Sequence, residues 1–236
     1  MNAPDPLPTE PVLSPGRPFH LVSVMEQRLP LLKRRPKRLR TRAQILAATA
    51  REMERVGYDG LTVELITEAL GIARGTFYLH FRDRSHAAMT VIRIYVALRR
   101  RCRPRGGRTP PVAEAILLFN SYYVAVYALN AKLLLGRESL MRDRSELAQA
   151  RDRLNAAWAR TVVEDVLRRD PRPRDPQQMA QLQLRVRGAI AMSDELLREI
   201  YLVRAPGLEP YLDDEPMVVS VLSDMWLRIV YASAPE

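Results

Sequence analysis

The sequence predicts an all-α protein: an N-terminal three-helix helix-turn-helix domain joined to a larger helical domain suited to ligand binding and dimerisation. Three observations lead there. Apolar residues recur at helical spacing along most of the chain, and no alternating run bounded by hairpin turns interrupts them. Glycine is sparse, at 10 of 236 residues, while hydrophobic residues make up 47%, which supports one sizeable core or a core plus a small module. Charge is polarised: residues 33–84 hold 12 basic and 6 acidic side chains, 85–108 hold 7 basic and none acidic, and 109–236 are nearly balanced at 16 against 18. Essentially all of the net charge of +10 therefore lies in 33–108. Such a footprint fits a polyanionic partner.

The elements follow in order. Residues 1–36 contain 8 of the 18 prolines and little apolar periodicity, so they are expected to be disordered apart from a short helical turn over Leu21–Leu29. KRRPKRLRTR (33–42) places seven basic residues in ten, Arg40 among them. A run like this is ordinarily a solvated prelude to a helix. Directly upstream of a helix-turn-helix it is expected to be a flexible arm reaching phosphates or a minor groove.

A helix-turn-helix domain is expected over 37–84. Its first helix runs from Thr41, a plausible N-cap, to Val56, with Ile45, Leu46, Thr49 and Met53 on one face and Gly57 as the stop. The second is capped by Thr62 and carries Val63, Leu65, Ile66 and Leu70; Gly71 permits the left-handed turn that follows. The third, about Ala73–His80, is anchored by Ile72, Phe77 and Phe81. Arg74, Gly75, Thr76, Tyr78 and His80 stand where a core helix would carry leucine. That profile suits a short helix laid into a DNA major groove.

Asp83 is expected to cap a fourth helix reaching Arg101, and Arg103–Pro111 breaks it. Residues 85–236 then form the second domain, with helices near Val112–Leu129, Asn130–Met141, Ser145–Arg169, Pro176–Val203 and Asp213–Ala232. The last two are broadly apolar: Leu182, Val186, Ile190 and Leu197 on one, Val221, Leu222, Met225 and Ile229 on the other. These faces are either ordinary core or the surfaces on which two subunits pair as a four-helix bundle.

Other classes fit less well. One cysteine, Cys102, excludes an intramolecular disulfide and a multi-cysteine metal site. No run is read as a membrane span, and the N-terminal residues lack the basic-then-apolar order of a signal peptide, so a cytoplasmic location is expected. An all-α enzyme with a basic appendage would need chemistry that is missing: there is no paired Ser/His/Asp set, no glycine-rich phosphate loop and no histidine cluster. No cofactor or metal is expected.

Residues 41–90 resemble the DNA-binding domain of TetR-family (tetracycline-repressor-like) transcriptional regulators. The likeness rests on G-Y-x-G-L-T, V-x-x-I-x-x-A-L, the G-I-A turn, G-T-F-Y and H-F-x-D-R, in that order. It implies that Thr62 caps its helix near a phosphate and that Arg74 reads a base edge, as a bidentate arginine reads guanine. Gly75 would permit close approach, Thr76 would meet a thymine methyl or a phosphate, and Tyr78 would bond a phosphate oxygen. His80 would lie near the backbone, and Arg84 would meet a phosphate where the family usually has lysine. Ala73 departs from the family's capping serine. Glu64 replaces a residue that is a base-reading arginine in some members, and is expected to face cytosine amino groups or solvent.

The resemblance further implies a homodimer on a palindromic DNA operator, most simply a repressor, released by a small-molecule effector. Candidate effector contacts are Phe119, Tyr123, Tyr127, Asn130 and Trp158, whose character suggests an apolar or aromatic molecule. With His20, His80 and His86 all outside that domain, a transition-metal effector is not expected. Arginines around Cys102 would favour its thiolate, which makes a redox role conceivable; a basic interdomain loop is the plainer reading. The remaining alternative is a DNA-binding protein without a ligand.

Overall fold

The computed structural model describes residues 13–105 and 110–231, and among these every regular element is a helix. The chain divides into two compact units. One comprises the chain through Arg103 together with Leu129–Arg144; the other comprises Pro104–Ala128 and the chain from Ser145 onward. The expected boundary after residue 84 is thus displaced: the fourth helix and a later segment belong with the N-terminal unit.

The first unit begins with α1 (Leu21–Arg28), whose Leu21, Val22 and Val24 are buried with Phe19. A short helical turn was the expectation over Leu21–Leu29 within a stretch otherwise expected to be disordered, and the structure gives a helix there that is packed into the unit. The reason lies far along the chain. Asn130, fully buried, accepts a hydrogen bond from the Leu21 amide at 2.8 Å and donates to the Phe19 carbonyl at 2.9 Å. His20 Nε2 lies 2.8 Å from Glu54, and Arg51 pairs with Glu26 at 3.3 Å. Residues 1–12 lie outside the described residues.

Helix α2 (Lys37–Gly60) starts earlier than expected and absorbs much of the basic run. Pro36 precedes its first turn, and Leu, Arg and Lys all favour helix, so these cations sit on a rigid rod and not on a flexible arm. Gly57, with φ 71° and ψ 174°, kinks α2 where the stop was expected. Next come α3 (Val63–Glu68), α4 (Arg74–Tyr78) and α5 (Arg84–Arg101).

The expected helix over Asn130–Met141 is two pieces: a 3-10 turn at Lys132–Leu134 and α7 (Arg137–Asp143), with α6 (Val112–Leu129) preceding both. Gly136 separates them with φ 75°, and a Cβ there would lie 3.1 Å from the Tyr58 backbone nitrogen. Tyr58 donates from its hydroxyl to Asp143 at 2.6 Å; burial, then Asp143, pushes its phenol up to about 12. Cys102 is buried and its thiol is pushed up by burial against the weaker pull of Arg101, which removes the basis for a reactive thiolate.

The second unit holds α6, α8 (Ser145–Arg169), α9 (Pro176–Arg198) and α10 (Glu215–Trp226), the last two running into π-helical turns at Glu199–Val203 and Leu227–Tyr231. Asp175 and Gln178 form a reciprocal capping box at the start of α9. Leu182, Val186, Ile190, Leu197 and Leu222, expected as pairing surface or core, are buried within this single chain and form part of its core. Val221 is exposed, and Met225 and Ile229 are half-buried. By length and composition α6 is apolar enough to cross a membrane, at a mean hydropathy of 1.5, which corrects the reading that no run qualifies. In the unit it carries the buried Asn120, whose amide donates to Ser223 at 3.1 Å.

Candidate nucleic-acid interface

Three short elements build this surface. Thr62 caps α3 by accepting the Leu65 amide at 3.2 Å, which satisfies a helix-end donor. After α3 the chain reverses at Gly71, whose φ of 62° suits glycine, and Ile72 N bonds the Thr67 carbonyl at 3.1 Å. Helix α4 follows with no side-chain cap at Ala73, as its methyl requires.

The orientation of α4 is set by its aromatics. Phe77 is 0% and Phe81 1% exposed, while Tyr78 is 55% and Leu79 76% exposed. Phe77 and Phe81 are 5.7 Å apart between ring centres, so one side of α4 is nailed into the core. Arg74, Gly75 and Tyr78 then face outward, with Thr76 half-buried beside them. Leu79 was given no role from sequence; a leucine this open beside Tyr78 is available to a thymine methyl.

Several candidates sit differently from expectation. Glu64 stays open to solvent, at 38% side-chain exposure, and pairs with Arg74 at 2.8 Å; its carboxyl is held low by its own backbone amide and then by Arg74. Arg84 donates to the Leu61 carbonyl and lies 5.0 Å over the Tyr58 ring; it ties down the end of α2, so its charge is largely committed. Arg42 likewise donates to the His80 carbonyl at 2.8 Å and covers the Phe81 ring at 4.3 Å. Burial, then Arg38 and Arg42, lowers the imidazole of His80, which keeps it neutral near pH 7 and weakens its case as a phosphate cation. Arg40 is exposed on the first turns of α2, where its Nη1 reaches the Lys33 carbonyl at 3.2 Å. Arg34, Arg35, Lys37, Arg38 and Arg82 are exposed too.

At the start of α5, Asp83 caps the helix by accepting the His86 amide at 2.7 Å. Burial works to raise its carboxyl, but bonds from Ser85, the His86 amide and Arg144 outweigh it and bring it down to about 2. Arg144 also donates to Ser85 at 2.7 Å, so the segment after α7 is bonded to the beginning of α5.

In the second unit the expected effector residues are partly assembled. Trp158 stacks on Phe119 at 4.7 Å, Phe119 on Tyr123 at 6.0 Å, and Tyr123 meets Tyr127 edge-on at 6.3 Å. Tyr201 extends this ladder 6.4 Å beyond Tyr127. The Tyr123 hydroxyl donates to Asp194, whose other oxygen accepts from Arg151 at 2.8 Å. Asn130 does not join them. It lies in the first unit, and its amide is consumed in holding α1.

Residues 45–86 match the family described as bacterial regulatory proteins, tetR family. Neither the curated proteins nor the solved structures returned a match to the chain. The matched span covers α3, α4 and most of α2, the elements that seat Phe77 inward and turn Arg74 and Tyr78 out. The domain over these residues is that of the TetR-family DNA-binding transcription regulators.

Proposed function

We propose that the protein is a dimeric repressor that binds a palindromic operator and is released by a small molecule. The outward face of α4 carries this reading: an arginine, a glycine and a tyrosine stand exposed on a helix anchored from behind by Phe77. Arg74 reads a base edge, Tyr78 bonds a phosphate, Gly75 and Thr76 allow close approach, and Thr62 lies at the phosphate backbone. Arg40 and its exposed neighbours on α2 supply sequence-independent attraction. In the dimer, two copies of α4 would enter major grooves ~34–36 Å apart. The exposed Val221, with Met225 and with Ile229 in the turn that follows, offers a surface for pairing through α10 and its continuation.

The effector is an apolar or aromatic molecule that meets the ladder of Trp158, Phe119, Tyr123 and Tyr127. The Tyr201 hydroxyl supports this placement: it is buried and meets no hydrogen-bond partner among the described residues, which leaves a phenol for a ligand to bond. The protein acts inside the cell on DNA and carries out no catalysis.

A gel shift on the DNA upstream of its own gene, titrated with salt, tests the reading. Affinity should fall steeply as salt rises, and a logarithmic slope near zero would remove phosphate contacts from the account.

A further inference from the structure

Glu64, in the first turn of α3, and Arg74, which opens α4, stand on either side of the Gly71 turn. Their charges meet at 2.8 Å, from Glu64 Oε1 to Arg74 Nη1, with the two side chains 38% and 65% exposed. Arg74 faces outward with Gly75 and Tyr78, so the pair brings a carboxylate to the outward face of the helix-turn-helix.

That carboxylate is costly on a phosphate-binding surface, where every anion opposes attraction to the backbone. Helix stability explains part of its presence. An acid in the first turn meets the amide end of α3, and the residue's own backbone amide is the first cause of the low Glu64 carboxyl. This does not explain why the acid engages a cation on a different helix. Nor is the pair a large source of stability, since an exposed ion pair orders two flexible side chains for a screened attraction.

Its consequence is directional. Arginine carries five N–H donors in a planar fork. With Nη1 against Glu64, Nη2 and Nε are left for other partners, and two donors are what guanine O6 and N7 accept. The same guanidinium without the acid is drawn to the nearest phosphate, which every sequence supplies alike.

We propose that Glu64 sets the sequence preference of this surface as a positioning residue: it holds the Arg74 fork toward a guanine edge and, by repelling phosphates, withholds the affinity Arg74 would otherwise lend to unrelated DNA. The inference rests on the assignment of Arg74 to a base edge. An acid beside the reading arginine lowers affinity everywhere and lowers it least at the right base, which is how discrimination is gained.

Duplexes of about 30 base pairs with random sequence, long enough for two half-sites, are selected by the full chain and sequenced. The selected duplex, its single-base variants and an unselected duplex are then titrated at fixed salt. Arg74→Ala should erase a guanine preference at a fixed position in each half-site. Glu64→Ala should cut that preference about two- to fivefold, and both Glu64→Ala and Glu64→Gln should bind the unselected duplex about twofold or more tighter. Glu68→Ala removes an exposed acid one turn along the same helix and should leave the preference intact. In the Arg74→Ala background, Glu64→Ala should change base preference no further, because its effect passes through Arg74.

An unchanged guanine preference in Glu64→Ala, or no gain on the unselected duplex, would overturn the role of Glu64 while leaving Arg74 as the reader. A change that persists in the Arg74→Ala background would assign Glu64 to a base of its own or to α3, and would overturn it as well. Arg74→Ala selecting the wild-type sequences, or a wild type that selects none, would remove the base-edge assignment and this inference with it.

Discussion

Replacing Asn130 with alanine separates a structural role from a ligand-binding one. Its amide makes two buried hydrogen bonds, accepting from the Leu21 amide at 2.8 Å and donating to the Phe19 carbonyl at 2.9 Å. Alanine leaves both peptide groups without that partner, at about 1–3 kcal/mol each. The space vacated by a carboxamide admits one water, which recovers part of the loss. The net expectation is about 2–4 kcal/mol, concentrated on α1 because both lost bonds belong to it. Hydrogen exchange read by mass spectrometry is the assay. Peptides covering Phe19–Leu29 should exchange roughly 30–1,000-fold faster at pH 7, while peptides covering Ile45–Met53 should respond less. Unaltered exchange at Phe19–Leu29 with an unaltered urea midpoint would refute the assignment. Loss of effector response with α1 intact would return Asn130 to the ligand.

Other perturbations probe the remaining claims. Tyr78→Phe should weaken binding of every DNA sequence alike, whereas Arg74→Ala should cost about 1–3 kcal/mol at particular base pairs and flatten preference there; competition gel shifts on single-base operator variants distinguish the two. Asp83, held at about 2 in the folded chain against about 3.9 unfolded, stabilises the fold above the unfolded value, and that contribution fades as pH falls from about 5 toward 2. Asp83→Asn should therefore reduce the acid dependence of urea unfolding between pH 5 and 2, and an identical pH slope would contradict the cap's role. Gly136→Ala forces a side chain into a left-handed backbone against Tyr58 and should cost at least about 1–2 kcal/mol in thermal or urea unfolding.

The helix-turn-helix was legible because its signals are local. A glycine at the turn, a threonine three residues before the amide it caps, and aromatics at positions 77 and 81 are all decided within a few residues. Ser145–Arg169 was legible for the same reason, its periodicity ending at the breaker Asp170–Pro173, whereas no glycine or proline marks the end of Val112–Leu129. What failed depended on distance. Nothing near Leu21 announces a partner 109 residues away, so the packing of the short helix expected over Leu21–Leu29 was not foreseen and its proline-rich surroundings read as disorder. The stripes on α9 and α10 could not separate inward from outward residues, since a buried Leu222 and an exposed Val221 are adjacent and equally apolar. Arg84 and Arg42 looked like free cations because the carbonyls and rings that engage them are set by the fold.

The N-terminal unit is assembled from two pieces of chain that are not neighbours in sequence. An expression clone stopped after Arg103 would omit Asn130, Leu133, Leu134 and Leu140, all of which sit at 2% exposure or less. Each lost leucine forfeits about 1.5–3 kcal/mol of burial, comparable with the whole stability of a small domain once summed. Such a truncate should be insoluble or molten, even though it contains every residue proposed to touch DNA. A working minimal reader would need residues 129–144 supplied back, by a short synthetic bridge or as a separate peptide.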